Sequence, residues 1–188
     1  MKKYYFDVTV DGGFGHDFCW EEDELQVEIE LSDSEVDTIR RLVSDYDGDA
    51  DEDGLMPILE AGNKALYDKL EKAIKQEMAD EILMAGISNG DVDYCDEMDE
   101  YYEKETGRED YVWDEKAFRE WYGEEYGDED ISIEDADEDD LREFWMAQEK
   151  DKMATDAKYL HSRYDTEGQV NVDDEEYLCQ VPEWAKEG

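Results

Sequence analysis

The sequence is short of basic residues, histidine and cysteine. Of its 188 residues only 18 are lysine or arginine, against 60 aspartates and glutamates, so the formal charge is -42. A chain this negative is repelled by nucleic acid and by anionic membranes, and we expect it to bind neither directly. Its three cysteines, Cys19, Cys95 and Cys179, are widely spaced and odd in number, which favours reduced thiols over a disulfide framework.

Long apolar runs are missing as well. No stretch approaches the roughly 18 uninterrupted apolar residues of a membrane span, and residues 1–7 lack the apolar core of a signal peptide. We therefore expect a soluble protein of the cytoplasm of a bacterial host cell.

Recognisable catalytic motifs are absent too. The two histidines, His16 and His161, have no obvious partner, and the chain contains no nucleophile elbow, phosphate-binding loop or zinc-protease helix motif. With 60 acidic residues, any one pair of carboxylates carries little information about acid–base chemistry. We expect no enzymatic activity.

The apolar residues that are present fall in regular patterns. They make up 39% of the chain, with 12% aromatic, enough for a modest core. Alternation predicts strands over 4–10 and 25–31, joined by a glycine-containing loop at 11–17, and a C-terminal hairpin over 170–181. We expect an α+β fold in which both hairpins form one small antiparallel sheet, packed with about four helices under a strongly acidic surface.

Helical spacing and capping signals mark the helices. Ser32 and Glu35 form a capping box, and apolar residues then recur at intervals of three and four. Helices are predicted over 32–46, 63–85, 114–123 and 136–163. We divide the chain into residues 1–90, an N-terminal hairpin with helices, and residues 91–188, an acidic aromatic-rich helical segment with the C-terminal hairpin. The two segments are expected to form one folded unit.

Residues 101 to 128 carry a family resemblance. They contain Tyr101-Tyr102-Glu103-Lys104-Glu105-Thr106-Gly107, followed by Phe118, Trp121-Tyr122 and Tyr126-Gly127-Asp128. This pattern resembles the late segment of ArdA-type antirestriction proteins, which are acidic DNA mimics. The resemblance implies that the chain presents carboxylates in place of phosphates.

The average charge density makes the arrangement of the acids decisive. A compact monomer of this mass exposes roughly 9,000 Å², or about one net negative charge per 220 Å². Duplex DNA carries roughly one charge per 110 Å² of its surface. Acids spread evenly over the surface would therefore reach about half the charge density of DNA, and acids clustered on one face would match that density.

We therefore predict a nucleic-acid-mimic inhibitor. It would occupy the basic groove of a defence enzyme or another nucleic-acid-binding enzyme, as anti-CRISPR or antirestriction proteins of phages and mobile elements do. The expected partner is a basic nucleic-acid-binding protein such as a nuclease or CRISPR effector. Two acidic clusters are the candidate contact residues: Asp91, Asp93, Asp96, Glu97, Asp99 and Glu100, and then Glu124, Glu125, Asp128, Glu129, Asp130, Glu134, Asp135, Asp137, Glu138, Asp139 and Asp140.

One segment also satisfies a calcium-loop pattern. From Asp49 to Glu60 the spacing D-x-[DN]-x-[DN]-G-x5-E resembles an EF-hand loop, in which oxygens surround the ion. The alternative function is thus a calcium-binding protein, with calcium as the possible cofactor. Gly48 and Pro57 depart from the usual pattern, and a solvated acidic turn is the other interpretation. The ligands would be Asp49, Asp51, Asp53, Leu55 and Glu60.

A third interpretation is an acidic adaptor for a basic partner protein. Such an adaptor would differ from a mimic in one respect, because DNA would not displace its ligand.

Overall fold

The computed structural model describes residues 1–11, 23–89, 95–127, 131–166, 170–173 and 176–186. The predicted loop at 11–17 therefore lies outside the described residues beyond position 11. In chain order the described elements are β1 (Lys2–Asp11), β2 (Asp23–Leu31), α1 (Asp33–Ser44), α2 (Ala50–Asp53), α3 (Leu55–Gly62), α4 (Lys64–Asn89), α5 (Cys95–Thr106), α6 (Glu115–Tyr126), α7 (Glu138–Met153), α8 (Ala157–Arg163), β3 (Glu176–Cys179) and α9 (Glu183–Lys186).

The chain divides into two compact units. The first unit consists of Met1–Leu83 and Glu167–Gly188, and the second unit is Met84–Thr166. The C-terminal residues from 167 onward, which were predicted to group with the aromatic-rich segment, thus belong to the same unit as the N-terminal strands. None of the helices in the described ranges combines the length and apolar character needed to cross a membrane.

The first unit contains the antiparallel sheet expected for an α+β fold. The strand order is β2-β1-β3, with Phe6 opposite Val27 and Val8 opposite both Leu25 and Cys179. Alternate residues of β1 and β2 are buried, as the two-residue period of a strand requires. The alternation that predicted strands over 4–10 and 25–31 is confirmed.

The C-terminal segment contributes one described strand to this sheet. Residues 170–173 lie outside any strand, whereas β3 pairs with the edge of β1 that β2 leaves open. Val172 is nevertheless buried in the core, and the neighbouring Asp173 accepts a hydrogen bond from Lys75 of α4 at 2.9 Å. The apolar alternation at 170 and 172 therefore reflects packing by side chains and not backbone pairing.

Helices cover the buried face of the sheet. The predicted capping box begins α1, where the Glu35 N–H donates to Ser32 Oγ and the Ser32 N–H donates to Glu35 Oε2. In α4, Leu66, Leu70 and Ile74 are buried at a spacing of four, which is one face of a helix. The core of this unit is mostly aliphatic, with Trp184 of α9 packing on Phe6 at a ring distance of 5.8 Å.

The second unit has a largely aromatic core. Phe118 of α6 is fully buried and meets Phe144 of α7 edge-on at 5.2 Å. Tyr102 of α5 packs on Trp145 of α7 at 5.6 Å. These separations lie within the 4.5–7 Å at which aromatic pairs are favourable.

The predicted helix over 136–163 is two helices. The Asp156 side chain accepts hydrogen bonds from the N–H groups of Lys158 and Tyr159, and this N-cap starts α8 after α7 has ended. The apolar spacing continues through the break, because Met153 and Leu160 are both buried. The described residues hold nine helices where about four were predicted; α2, α3, α8 and α9 are too short to show a clear period.

Candidate acidic interaction surface

The first predicted acidic cluster lies partly on α5. Asp91 and Asp93 are outside the described residues, and Asp96 belongs to α5 without a described side chain. Glu97 is half-buried, whereas Glu100 is exposed.

Asp99 of this cluster forms an ion pair with Arg142 of α7. The pairing raises the pKa of Arg142, chiefly through its hydrogen bond to Asp99. The charge of Asp99 is thus partly neutralised within the protein.

The second predicted cluster begins at the end of α6. Glu124 and Glu125 occupy the last turn of that helix and are exposed. Asp128, Glu129 and Asp130 lie outside the described residues.

The rest of the second cluster is held on ordered backbone. Ser132 accepts backbone hydrogen bonds from the N–H groups of Asp135, at 3.0 Å, and Ala136, and its hydroxyl donates to Asp135 Oδ2 at 2.8 Å. Asp137 is the N-cap of α7 and accepts from the Asp140 N–H at 2.9 Å. The described parts of residues 124–140 are the end of α6, a hydrogen-bonded turn that begins at Ser132, and the start of α7.

We define the acidic ridge as the run from Glu134 to Asp140. Asp137 is the N-cap of α7, and Glu138, Asp139 and Asp140 lie in its first turn, where carboxylates interact favourably with the positive end of the helix dipole. In the ranges that the structure describes, none of the six acids of the ridge forms an ion pair with lysine or arginine. The exposed acids are Glu134, Asp135, Asp137, Glu138 and Asp139, and Asp140 is half-buried.

An exposed tyrosine accompanies these acids at the end of α6. Tyr126 is 51% exposed, and its hydroxyl donates to Glu143 Oε2 at 2.6 Å. That hydrogen bond, more than any other cause, raises the pKa of Tyr126 to about 12. The phenol therefore stays neutral and keeps donating its proton at any physiological pH.

A buried carboxylate in the second unit was not predicted. Glu149 of α7 is only 4% exposed. Its Oε2 atom accepts hydrogen bonds from the hydroxyls of Tyr159 and Tyr164, the latter at 3.2 Å, and lies 3.8 Å from a guanidinium nitrogen of Arg163. Burial is the main cause that raises the pKa of both tyrosines, so both remain donors to the carboxylate.

The sequence did contain a signal for this buried acid. Glu149 lies four residues after Trp145 and four before Met153, both of which are buried. A charged residue at the core spacing of a helix indicates an internal partner, because an unpaired buried charge is strongly unfavourable. We interpret Glu149 as a structural anchor that joins α7 to α8.

The segment predicted as a calcium loop is helical for most of its length. Asp49 is the N-cap of α2, and its Oδ1 accepts from the N–H groups of Asp51 and Glu52. Asp53 Oδ2 instead accepts from the Tyr46 hydroxyl at 2.7 Å. Gly54, with φ of 75°, separates α2 from α3.

The remaining predicted ligands are engaged elsewhere or lie within a helix. Asp51 pairs with Lys186 of α9 at 2.6 Å, while Leu55 begins α3 and Glu60 is exposed near its end. Among the described residues no group of three or more acidic, histidine or cysteine side chains is placed to hold a metal ion. Asp49, Asp51, Asp53, Leu55 and Glu60 are therefore not brought together as ligands, and calcium binding stays a prediction.

A cleft of about 500 Å³ in the first unit lies beside β3. Its lining includes Lys75 and Asp173, which form an ion pair at 2.9 Å, and Cys179. Burial raises the pKa of the Cys179 thiol to about 12, so that this sulfur is not an activated nucleophile at neutral pH.

Comparison with known proteins finds no matching family model, no matching curated protein and no matching solved structure. The resemblance of residues 101–128 to ArdA-type antirestriction proteins stays a prediction.

Proposed function

We propose that the protein is a nucleic-acid mimic that occupies the basic DNA- or RNA-binding groove of a defence enzyme or another nucleic-acid-binding enzyme. The observation that carries this proposal is the acidic ridge. Five of its six carboxylates are exposed, none forms an ion pair among the described residues, and they stand on a hydrogen-bonded turn and a capped helix. A rigid anion of this kind loses little conformational freedom when it binds.

The charge spacing supports the comparison with a polynucleotide. Asp137, Glu138, Asp139 and Asp140 are four consecutive acids at the start of α7. A helix rises about 1.5 Å per residue, so these residues carry about one charge per 1.5 Å of axis. Duplex DNA carries one charge per about 1.7 Å of its axis.

The inhibitor would act by occupancy. Lysine and arginine side chains that normally neutralise phosphates would meet carboxylates, and the complementary fields would accelerate encounter at low ionic strength. Because exposed charges are screened by salt, the affinity should fall as the ionic strength rises. In this proposal the protein performs no chemistry on its target.

Capture from a bacterial lysate followed by elution with duplex DNA tests the proposal. Immobilised protein is expected to retain nucleic-acid-binding proteins that excess DNA releases. If every retained protein withstands that excess, or none is retained, the mimic proposal fails; retention that resists DNA supports the adaptor alternative.

A matched pair of variants locates the surface. The ridge variant replaces Glu134, Asp135, Asp137, Glu138 and Asp139 by their amides. The control makes the same change in charge at five exposed acids of the first unit: Glu30, Asp37, Asp47, Glu52 and Glu60. We expect the ridge variant to lose DNA-displaceable capture and the control to retain it. Equal losses would mean that overall charge, and not the ridge, directs binding.

A further inference from the structure

The ring of Tyr126 is exposed and held in a fixed orientation. It packs on Tyr122, with ring centres 4.6 Å apart, and on Trp121 at 5.9 Å. The Tyr126 hydroxyl donates a hydrogen bond to Glu143 of α7. An exposed aromatic side chain that is already ordered loses little entropy on binding, which is typical of the residues that contribute most to protein interfaces.

Carboxylates act on the hydroxyl end of this ring. Besides Glu143, the charges of Asp140 and Glu125 act on the Tyr126 hydroxyl and contribute to its raised pKa. In the described part of the chain, no lysine or arginine forms an ion pair with Glu125, Asp140 or Glu143. The site therefore combines an aromatic face with three acids that lack an internal counter-ion there.

The first unit has tyrosines in comparable hydrogen bonds that already have a cation. Tyr5, which is 49% exposed, donates to Glu28, and the Lys3 ammonium lies 2.6 Å from that carboxylate. Tyr67 donates to Glu71 at 3.0 Å, and the Lys64 ammonium lies 4.0 Å from the centre of the Tyr67 ring.

The second unit contains a third example with its own cation. Tyr159 donates to the buried Glu149, and the Arg163 guanidinium lies 5.2 Å from the centre of the Tyr159 ring. By contrast, no lysine or arginine among the described residues lies over the ring of Tyr126. Tyr126 with Glu143 thus repeats a tyrosine–glutamate arrangement without the cation that accompanies it elsewhere.

We propose that Tyr126 and the carboxylates of Glu143, Asp140 and Glu125 form a docking site for an arginine side chain of the protein partner. The guanidinium would lie over the exposed ring while its N–H groups donate to the acids. Arginine is preferred to lysine because its planar group stacks on aromatic rings and its fork of donors matches carboxylates. The inference rests on the proposed function only in that a basic protein supplies the arginine.

Calorimetry with hexa-arginine and hexa-lysine peptides tests this site without a known target. The peptides carry the same charge, so their affinity ratio reports the preference for guanidinium. The wild type is expected to favour hexa-arginine, and Tyr126→Leu, which retains apolar packing but removes the aromatic face, should lower the ratio about two- to fivefold. Tyr126→Phe should keep most of the preference, and Tyr5→Ala, which removes a tyrosine of similar exposure, should leave the ratio unchanged.

Failure of this inference is distinguishable from failure of the mimic proposal. If Tyr126→Leu leaves the ratio unchanged, or lowers it no more than Tyr5→Ala does, the arginine site is not at Tyr126. DNA-displaceable capture by the acidic ridge would be unaffected by that result. Circular dichroism of each variant verifies folding, and a Glu143→Gln variant, which leaves the ring in place, should also reduce the ratio.

Discussion

The two units have similar charge compositions but different means of holding their acids. The first unit has 31 acidic and 9 basic residues, and the second has 29 and 9. In the first, the core is mainly aliphatic and the sheet supplies a hydrogen-bonded frame. In the second, the described elements are helices joined by aromatic contacts. Composition alone therefore does not single out a candidate interaction surface.

Aromatic packing can offset the repulsion among the acidic side chains on the surface of the second unit. Each buried aromatic side chain removes about 150–250 Å² from water, so a few rings can hold several acidic helices together. None of the described acids of the ridge forms an ion pair with lysine or arginine, although the charge of Asp139 acts on Arg142; Glu28 and Glu71 of the first unit pair with lysines at 2.6 and 3.9 Å. Exposed acids of the first unit such as Glu30 and Asp37 form no described ion pair either, so counter-ion placement alone does not distinguish the ridge, and the matched variants are needed to test it.

The largest expected effect separates the cores of the two units. Phe118→Ala should destabilise the second unit by about 3–5 kcal/mol, because it leaves a cavity among rings that cannot close around it. Hydrogen exchange should show faster amide exchange in α6 and α7 and unchanged protection in β1 and β2.

Ile74→Ala is the reciprocal control, since Ile74 is fully buried in the aliphatic core. It should lower the free energy of unfolding of the first unit by about 2–5 kcal/mol and leave the amide protection of α6 unchanged. If either variant lowers amide protection equally in both units, the two units unfold together, and their cores do not stabilise them independently.

A smaller loss is expected at the buried carboxylate. Glu149→Gln keeps the size of the side chain but removes the charge that faces Arg163 and leaves one neutral amide oxygen as the acceptor for two tyrosine hydroxyls. Leaving buried polar groups poorly paired destabilises a protein by about 1–3 kcal/mol. Urea denaturation should show this loss. Glu143→Gln is the control at an exposed carboxylate of the same helix. Similar losses of stability for both variants would contradict the role of Glu149 as a structural anchor.

The capping box of α1 provides a pH-dependent test. Hydrogen bonds from Lys69 and then Ser32 lower the pKa of Glu35 from 4.5 to about 2. A carboxyl group whose pKa is lower in the folded state than in the unfolded state stabilises the protein fully at pH values above its unfolded-state pKa. That contribution is lost as the pH falls toward its folded-state pKa. Glu35→Gln should therefore destabilise the first unit at pH 7 by about 1 kcal/mol, as loss of a cap does.

The difference between Glu35→Gln and the wild type should shrink as the pH falls from 4.5 toward 2. Thermal denaturation over this range measures it, with Asp37→Asn as a variant of equal charge on the exposed face of α1. A difference that stays constant with pH would contradict the assignment of the lowered pKa to Glu35.

Local patterns predicted the elements that depend on local physics. The alternation of β2, the Ser32–Glu35 capping box and the four-residue spacing of α4 each have one dominant physical cause, and the structure contains all three. The pattern from Asp49 to Glu60 had two possible causes, because aspartate serves equally as a calcium ligand and as an N-cap. In the structure Asp49 is an N-cap.

Features that depend on contacts between elements could not be predicted from local sequence patterns. Asp156 interrupts an apolar spacing that continues on both sides of it, so the break between α7 and α8 was hidden. Glu149 is one acid among 60, and only its spacing relative to Trp145 and Met153 sets it apart. The predicted acidic clusters, Asp137 included, were located by composition, whereas the ordering of the ridge depends on the hydrogen bonds of Ser132 and on Asp137 as an N-cap, which composition does not reveal.

The smallest expected effect sharpens the comparison between Tyr5 and Tyr126. If an internal cation is what keeps the first tyrosine from docking arginine, then Lys3→Gln should convert Tyr5 and Glu28 into a second site. The free energy of unfolding should change by about 0.5 kcal/mol or less, because exposed ion pairs contribute little. Calorimetry should show the preference for hexa-arginine over hexa-lysine rising about twofold, and Tyr5→Ala in the same background should abolish the rise. An unchanged preference would mean that the setting of Tyr126, including its packing on Trp121 and Tyr122, distinguishes it more than the missing counter-ion does.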